Sequence, residues 1–356
     1  MLGVSEVLWC AGEPRPHRYE GRVGLAARVL IATWQEDGAA ACFRKVRAAA
    51  AMQLPVAVRG RRTARSVGAY FDLITREGRL FYGDSFHLGY FSNGVQSLVE
   101  ALEAHTDLVA KLARVDLADE VLDVGCGLAA PAIRMTKRYG CRITGVNISR
   151  EQVRQGNELI SDLDLSDRVI VRRGDARALD FADESFDAIV CLEAAGDICV
   201  TEADKSRLVS DLYRVLRPGG HVGFSDLALR NPVSPADDRE LRAVLYHSGA
   251  ELVTDWPAIF SREGFRIVES RDIIVETLPT WDHVRAVYGT RDGDVVRRYG
   301  RRLVERTIAH LERIAVILAE HGTFPTFAAQ KPLEAARHEL REDRVAPALE
   351  SYALSS

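Results

Sequence analysis

The chain has 356 residues, 47% of them hydrophobic and 28% charged, with a formal net charge of −4. A chain of that length buries a full core, as one large domain or a domain with additions, and its composition is ordinary for a globular protein. The acidic balance supplies no basic excess for phosphate contacts, so no nucleic-acid partner is expected. No apolar run reaches membrane-spanning length, so no membrane partner is expected either.

The first residues lack a basic segment followed by an apolar stretch, so no secretory signal is expected. Six cysteines (Cys10, Cys42, Cys126, Cys141, Cys191 and Cys199) form no CxxC pair and no regular framework. Buried free thiols in a reducing cytoplasm are the expectation. Residues 1–64 read as a helical extension, with apolar periodicity at 24–34 and 39–52. Such helices pack on a second copy or cover a site, and a homo-oligomer is expected. Arg59, Arg61, Arg62 and Arg65 read as a solvated basic surface.

Residues 65–118 read as an aromatic lid and lead-in helices. Tyr70-Phe71-Asp72 is followed by Tyr82-Gly83-Asp84-Ser85-Phe86-His87-Leu88-Gly89-Tyr90-Phe91. Aromatics this dense, with glycines between them, suit a pocket wall better than a plain helix. An amphipathic helix over 97–117 leads into the first strand.

The core is expected over 119–290, where strands and helices alternate. Strands are predicted at 121–124, 142–146, 169–172, 186–191 and 221–225, with helices at 130–139, 150–163 and 203–216 between them. Ser149 opens the second helix as an N-cap, and Pro218-Gly219-Gly220 stops the third. Repeated β-α units predict an α/β fold with a doubly wound, Rossmann-like parallel sheet. Ligands on such sheets bind at the carboxyl ends of the strands. A helical cap is expected at about 228–257. A helix at 258–263, a strand at 264–269, a continuation of the sheet edge at 273–275 and a helix at 281–288 follow. Residues 291–356 read as C-terminal helices, the last of them charged and peripheral.

The chemistry is concentrated at Val121-Leu122-Asp123-Val124-Gly125-Cys126-Gly127-Leu128-Ala129-Ala130-Pro131. A strand ending in Gly-x-Gly lets the backbone approach a nucleotide-like ligand closely. A dinucleotide fingerprint requires glycine at position 130, which is alanine, so a nicotinamide-dependent oxidoreductase is disfavoured. Asp123 lies two residues before the first glycine, and Asp-x-Gly-x-Gly after a strand resembles the first motif of class I S-adenosylmethionine-dependent methyltransferases. Later strand ends carry the resemblance further: Asn147 after the second, Gly174-Asp175-Ala176 after the third, Glu193 after the fourth, and Leu216-Arg217-Pro218-Gly219-Gly220 before the fifth. Upstream, Phe86-His87-Leu88-Gly89-Tyr90-Phe91 resembles an element of natural-product, sarcosine and isoprenoid methyltransferases and of cyclopropane fatty acid synthases. The resemblance covers residues 65–290.

That resemblance implies S-adenosylmethionine as cofactor. By position it implies a cofactor set of Tyr70, His87, Asp123, Gly125, Cys126, Gly127, Asn147, Ile148, Gln152, Asp175, Ala176 and Glu193. Asp175 matches the acid that accepts from the adenine amino group. Asn147 stands where most methyltransferases carry an acid for the ribose hydroxyls, and its amide still pairs with a hydroxyl. Methyl transfer needs alignment and exclusion of water, and a base only where the acceptor loses a proton. Glu193 is the expected base, with His247 and His283 as further catalytic candidates. Tyr82, Tyr90, Trp256 and Trp281 are expected to shape the acceptor pocket. No HxxxH or Cys/His metal spacing appears, and Mg²⁺ enters only if the acceptor carries a diphosphate. The expected reaction is C-methylation of a lipophilic isoprenoid or prenyl diphosphate. O- or N-methylation of a polyketide, sugar or alkaloid, and a cofactor-bound cyclase without methyl transfer, are the alternatives.

Overall fold

A computed structural model describes residues 63–290 and 301–333, apart from positions 93, 96, 119, 246 and 248. The helical extension, Cys10, Cys42, Arg59, Arg61 and Arg62, and the charged helix beyond residue 333 therefore lie outside the described residues.

The chain enters through α1 (Ala64–Tyr82) and α2 (Leu98–Leu112) and then begins the sheet. The alternating part runs β1 (Glu120–Val124), α3 (Ala130–Tyr139), β2 (Arg142–Asn147), α4 (Arg150–Asp162), β3 (Val169–Arg173) and β4 (Phe186–Leu192). It continues through α5 (Ala195–Ile198), α6 (Glu202–Val215) and β5 (Leu216–Ser225). A cap of β6 (Ala228–Leu229), α7 (Pro235–Leu245) and α8 (Gly249–Leu252) follows. After it come α9 (Trp256–Arg262), β7 (Arg266–Asp272), α10 (Ile274–Thr277), α11 (Pro279–Thr290) and α12 (Arg301–His321). The described chain closes with β8 (Gly322–Thr323) and β9 (Pro325–Gln330).

The main sheet has the order β3-β2-β1-β4-β5-β9-β7. Strands β1 to β5 pair in parallel, and β9 runs antiparallel to both β5 and β7. Parallel strands covered on both faces read as continuous apolar runs, and β1 and β4 are buried along nearly their whole length. One core cluster joins Leu122, Ile189, Leu208, Phe224, Trp256 and Phe327. A second joins Val121, Ala132, Met135, Ile143, Ile160 and Val190. A third lies under the cap and includes Leu88, Leu229, Leu241, Trp281, Ile314 and Phe324. The strand order reverses between β1 and β4, and the crevice at their carboxyl ends is the ligand position of doubly wound sheets. Among the described residues no helix is long and apolar enough to cross a membrane.

Three expectations from the sequence are corrected. The aromatic stretch from residue 64 is a regular helix up to Tyr82, opened by a Thr63/Ser66 capping box, and the irregular lid begins only at Gly83. Residues 273–275 leave the sheet and enter α10, so β7 is the edge strand. Residues beyond 291 are not helices alone: the chain returns to the sheet, and β9 inserts between β5 and β7. Its residues are buried almost throughout, with Phe327 opposite Phe224.

Candidate active site

The turn after β1 places the backbone at the cleft. Gly125 and Gly127 both adopt positive φ, at 73° and 55°, which glycine alone takes without strain. Gly125 also packs against the turn after β4, where an added Cβ would stand 2.2 Å from the Cβ of Ala194. Both Gly125 and Cys126 donate their amides to the Val146 carbonyl, at 2.8 and 3.3 Å. The resulting cleft spans about 860 Å³ of non-atom space, part of it open solvent.

Polar groups are left unpaired in its wall. Asp123 is buried, its Oδ2 has no hydrogen-bond partner, and burial pushes its carboxyl up to about 7. The Asn147 amide donates to the Gly127 carbonyl at 3.0 Å and to Gln152 Oε1 at 2.8 Å, while its own Oδ1 accepts from the Ser149 amide at 3.2 Å. Asn147 is thus occupied in holding the loop, and the buried Nε2 of Gln152 is left without a partner. Asp175 is held by Arg177 through both oxygens, at 2.9 and 2.6 Å. Burial alone would raise its pKa, but these bonds keep it below the usual carboxylate value. Helix α1 closes this side: Ser149, the N-cap of α4, donates to Asp72 at 2.6 Å.

The residues present fit S-adenosylmethionine. A free buried carboxylate oxygen suits an ammonium, and a free buried amide donor suits a ribose hydroxyl. The glycine turn admits close approach, and Asp175 stands at the end of β3 as the resemblance places it.

Beside this wall stands Glu193, immediately after β4, with a left-handed backbone at φ 49°. Non-glycine residues persist in that region only where surrounding structure holds them, commonly at functional sites. Here the Glu193 amide donates to the Ser225 carbonyl at 2.7 Å. Its Oε1 accepts from the Leu88 amide at 2.6 Å, and the residue lines the cleft. Burial raises its carboxyl well above the ordinary value. The Leu88 bond opposes that rise, and the charges of Asp226 and Asp197 add to it. The Leu88 carbonyl in turn receives Nδ1 of His87 at 2.9 Å and Nδ1 of His105 at 2.7 Å. A carbonyl only accepts, so both rings carry their proton on Nδ1. Atoms of His87, His105 and Glu193 lie within 4.8 Å of one another, close enough for a metal. The Leu88 carbonyl engages both Nδ1 atoms and the Leu88 amide engages Glu193 Oε1, however, so the cluster is organised around the backbone of that residue.

Of the residues singled out in the sequence, His87, Asp123, Gly125, Cys126, Gly127, Asn147, Ile148, Gln152, Asp175, Ala176 and Glu193 all line the cleft. Tyr70 does not; its neighbour Phe71 does, with the Tyr70 ring edge-on at 5.3 Å. Trp256 is a core residue, 1% exposed and 5.1 Å from the Phe224 ring, not a pocket wall. Trp281, Tyr82 and Tyr90 pack in or against the third cluster beside Leu88. The indole nitrogen of Trp281 is buried without a partner, and Tyr90 is bonded by Arg271. His283 stacks on Phe91 at 5.2 Å and is absent from the cleft wall. His247 does not line the cleft either, but its Nε2 pairs at 2.8 Å with Asp197, which does. His105, Ser225, Thr326 and Arg177 carried no signal in the sequence. His105 is a lone histidine on an amphipathic helix, and such a residue reads as packing.

A family model described as a methyltransferase domain matches residues 121–220. The chain is 30% identical to methyltransferase GfsG of Streptomyces halstedii over 61% of its own length and 78% of that protein's. It is equally 30% identical to 27-O-demethylrifamycin SV methyltransferase of Amycolatopsis mediterranei, covering 62% of this chain and 80% of that one. Among solved structures, the [4+2]-cyclase SpnF superposes with a TM-score of 0.62 and 26% identity, over 77% of this chain and 98% of that one. With the β1 glycine turn, the free carboxylate of Asp123 and the strand-end polar groups in one cleft, the chain belongs to the class I S-adenosylmethionine-dependent methyltransferases that act on small molecules.

Proposed function

We propose that the protein methylates a hydroxyl of a lipophilic, polyketide-type small molecule, with Glu193 as the general base. The observation that carries the reading is the Glu193 carboxylate at the cleft, fixed through one oxygen by the Leu88 amide at 2.6 Å. Bound S-adenosylmethionine supplies an activated methyl group on a sulfonium. The chain's own residues do the rest. Asp123 and Gln152 offer their unpaired atoms to the cofactor, Asp175 stands for its adenine, and the Gly125–Gly127 turn admits it. Glu193 takes the acceptor proton; burial raises its affinity for that proton, as a base working near neutral pH requires. Asp197 of α5, paired with His247, lines the same wall.

A prenyl diphosphate acceptor is less well served. Arg177 is the single Lys or Arg among the described cleft residues, and it is committed to Asp175 and, at 3.3 Å, to Asp204. Asp84, Asp197 and Glu193 share the wall with it, a poor surrounding for a diphosphate. The name of the rifamycin relative places its methyl site on an oxygen, in line with this reading.

The test is transfer of radiolabel from S-adenosylmethionine to a panel of macrolide and ansamycin alcohols, phenols, amines and prenyl diphosphates. Label on oxygen, lost by about 100-fold or more in Glu193→Gln with S-adenosylhomocysteine binding retained, is the expected result. Label in a prenyl carbon skeleton restores C-methylation. Tight cofactor binding with no S-adenosylhomocysteine released points to a cyclase-type use of the cofactor.

A further inference from the structure

Asp175, just after β3, is held by a residue of its own loop. Its Oδ1 accepts from the Arg177 amide at 3.1 Å and from Arg177 Nε at 2.9 Å, and its Oδ2 accepts from Nη2 at 2.6 Å. An ionised carboxylate has about four lone-pair sites, two on each oxygen. Three of them are filled, and the one left open is on Oδ2. The guanidinium is braced from its other side, where Nη1 donates to Asp204 Oδ1 at 3.3 Å. Asp204 is fixed in turn as the N3 residue of the α6 capping box. Its Oδ2 accepts from the Thr201 amide at 3.1 Å and the Thr201 hydroxyl at 2.9 Å. Arg177 thus stands as a planar fork between two anchored carboxylates, of which Asp175 lines the cleft and Asp204 does not. A two-pronged guanidinium contact fixes orientation as well as charge, so Asp175 cannot turn to present another lone pair.

We propose that Arg177 is a positioning residue that makes Asp175 a single, fixed acceptor and thereby sets the site's preference for a 6-amino purine over a 6-oxo purine. An amino group at the 6-position donates to the open site on Oδ2. An oxo group at that position is itself an acceptor, and it meets a lone pair with no proton between them. Polar groups left unpaired in this way are what lets a site reject a close analogue. Only a protonated Asp175 could donate to the oxo group, and Arg177 opposes that protonation. Burial acts to raise the Asp175 carboxyl, and the bonds and charge of Arg177 more than offset it. The other groups that face the pair are Asp204 from α6 and the Cys199 thiol after α5, which burial pushes up and keeps protonated. Neither supplies a positive charge, so the ionised form of Asp175 depends on Arg177.

This role rests on Asp175 facing the adenine of the cofactor, and on neither Glu193 nor the acceptor. The test is calorimetric titration of the full-length protein with S-adenosylhomocysteine and with S-inosylhomocysteine, its 6-oxo counterpart, at pH 7.5 and pH 5. Both ligands carry the same amino-acid end, so titration of Asp123 cancels in the ratio of the two affinities. The native protein is expected to favour the amino ligand by about 10- to 100-fold at either pH. In Arg177→Met that ratio is expected to fall by about tenfold at pH 7.5. It should fall further at pH 5, where the released carboxyl takes up a proton and donates to the oxo group. Arg177→Lys keeps a charge without the fork, so its ratio is expected to fall at pH 7.5 and to change less with pH. It makes the same test should Arg177→Met not fold. A native ratio near one, or a folded Arg177→Met or Arg177→Lys with the native ratio at both pH values, overturns the proposal. Asp175→Asn tells the two ways of failing apart. Its amide donates as well as accepts, and it is expected to lose the preference. If it keeps the native ratio, Asp175 does not read the purine, and the adenine placement falls together with the proposal. If it loses the preference while Arg177→Met keeps it, the placement stands and the role of Arg177 alone is overturned.

Discussion

Asp123 presents a buried oxygen with no partner, and burial moves its carboxyl to about 7, against about 3.9 in an unfolded chain. Between those values the folded protein binds a proton that the unfolded chain has lost, so this group makes stability fall as pH rises, by up to about 1.4 kcal/mol per unit. An ammonium bound beside it stabilises the ionised form and removes that trend. The gain in melting temperature on adding S-adenosylhomocysteine should therefore grow from pH 6 to 7 in the native protein. It should be smaller and flat in Asp123→Asn. A native gain that does not change over that interval removes Asp123 from the cofactor site. Asp123 was legible in the sequence because its place is fixed by a local requirement, a strand running into a turn that only glycine can make. The same holds for Gly125, Gly127 and Asp175. His105 was not, because its meaning lies in partners 17 and 120 positions away. Trp256 was misread for a related reason. A tryptophan in an apolar stretch serves a pocket or a core equally well, and contact with Phe224 and Lys205 decides for the core.

At the scale of elements, the two glycines of the β1–α3 turn separate packing from access. Alanine at 125 must hold φ 73° and drive its Cβ to 2.2 Å from that of Ala194. Left-handed backbone costs about 1–2 kcal/mol and overpacking about 1–3 more. At 127 the backbone cost is similar, but an added Cβ meets nothing within 4 Å, and the residue lines the cleft. Gly125→Ala should thus lose about 3 kcal/mol of stability in urea titration. Gly127→Ala should lose half as much or less while still weakening S-adenosylhomocysteine binding. Equal losses in the two variants would mean that the Ala194 contact yields freely. The β-α alternation was legible because the buried parallel strands are unbroken apolar runs. Helix α1 was obscured by glycines that ordinarily interrupt a helical pattern. In the structure they are points of close approach: a Cβ on Gly78 would stand 2.3 Å from the Phe86 ring, and one on Gly68 would stand 3.3 Å from the Ile148 carbonyl.

The whole molecule depends on a strand that arrives last. After β7 the chain leaves the sheet, builds α10 to α12 against the cap, and returns as β9 between β5 and β7. A six-residue segment of mixed apolar and polar residues carries no periodicity that tells strand from helix. Its partner Ser225 lies 101 positions before Thr326, so the sequence alone did not place it. Yet β9 completes the layer beside β5: Phe327 and Ala329 enter the cluster of Phe224, Phe260 and Trp256, while Phe324, just before the strand, enters the cluster under the cap. Thr326 bonds Ser225 across the β5–β9 pair at 2.7 Å. Fully burying Phe327 contributes about 1.5–3 kcal/mol, before the ladders to β5 and β7 are counted, in a domain whose net stability is about 5–15 kcal/mol. A chain ending at Phe324 therefore loses both the edge that β7 pairs with and a large share of that net stability. Compared with a chain ending at Leu333, it should be recovered unfolded or aggregated, with no thermal response to S-adenosylhomocysteine. A monodisperse chain ending at Phe324 with native circular dichroism and cofactor binding would show that β7 can pair with β5 directly. The antiparallel end of the sheet would then be an accessory to the site and not its support.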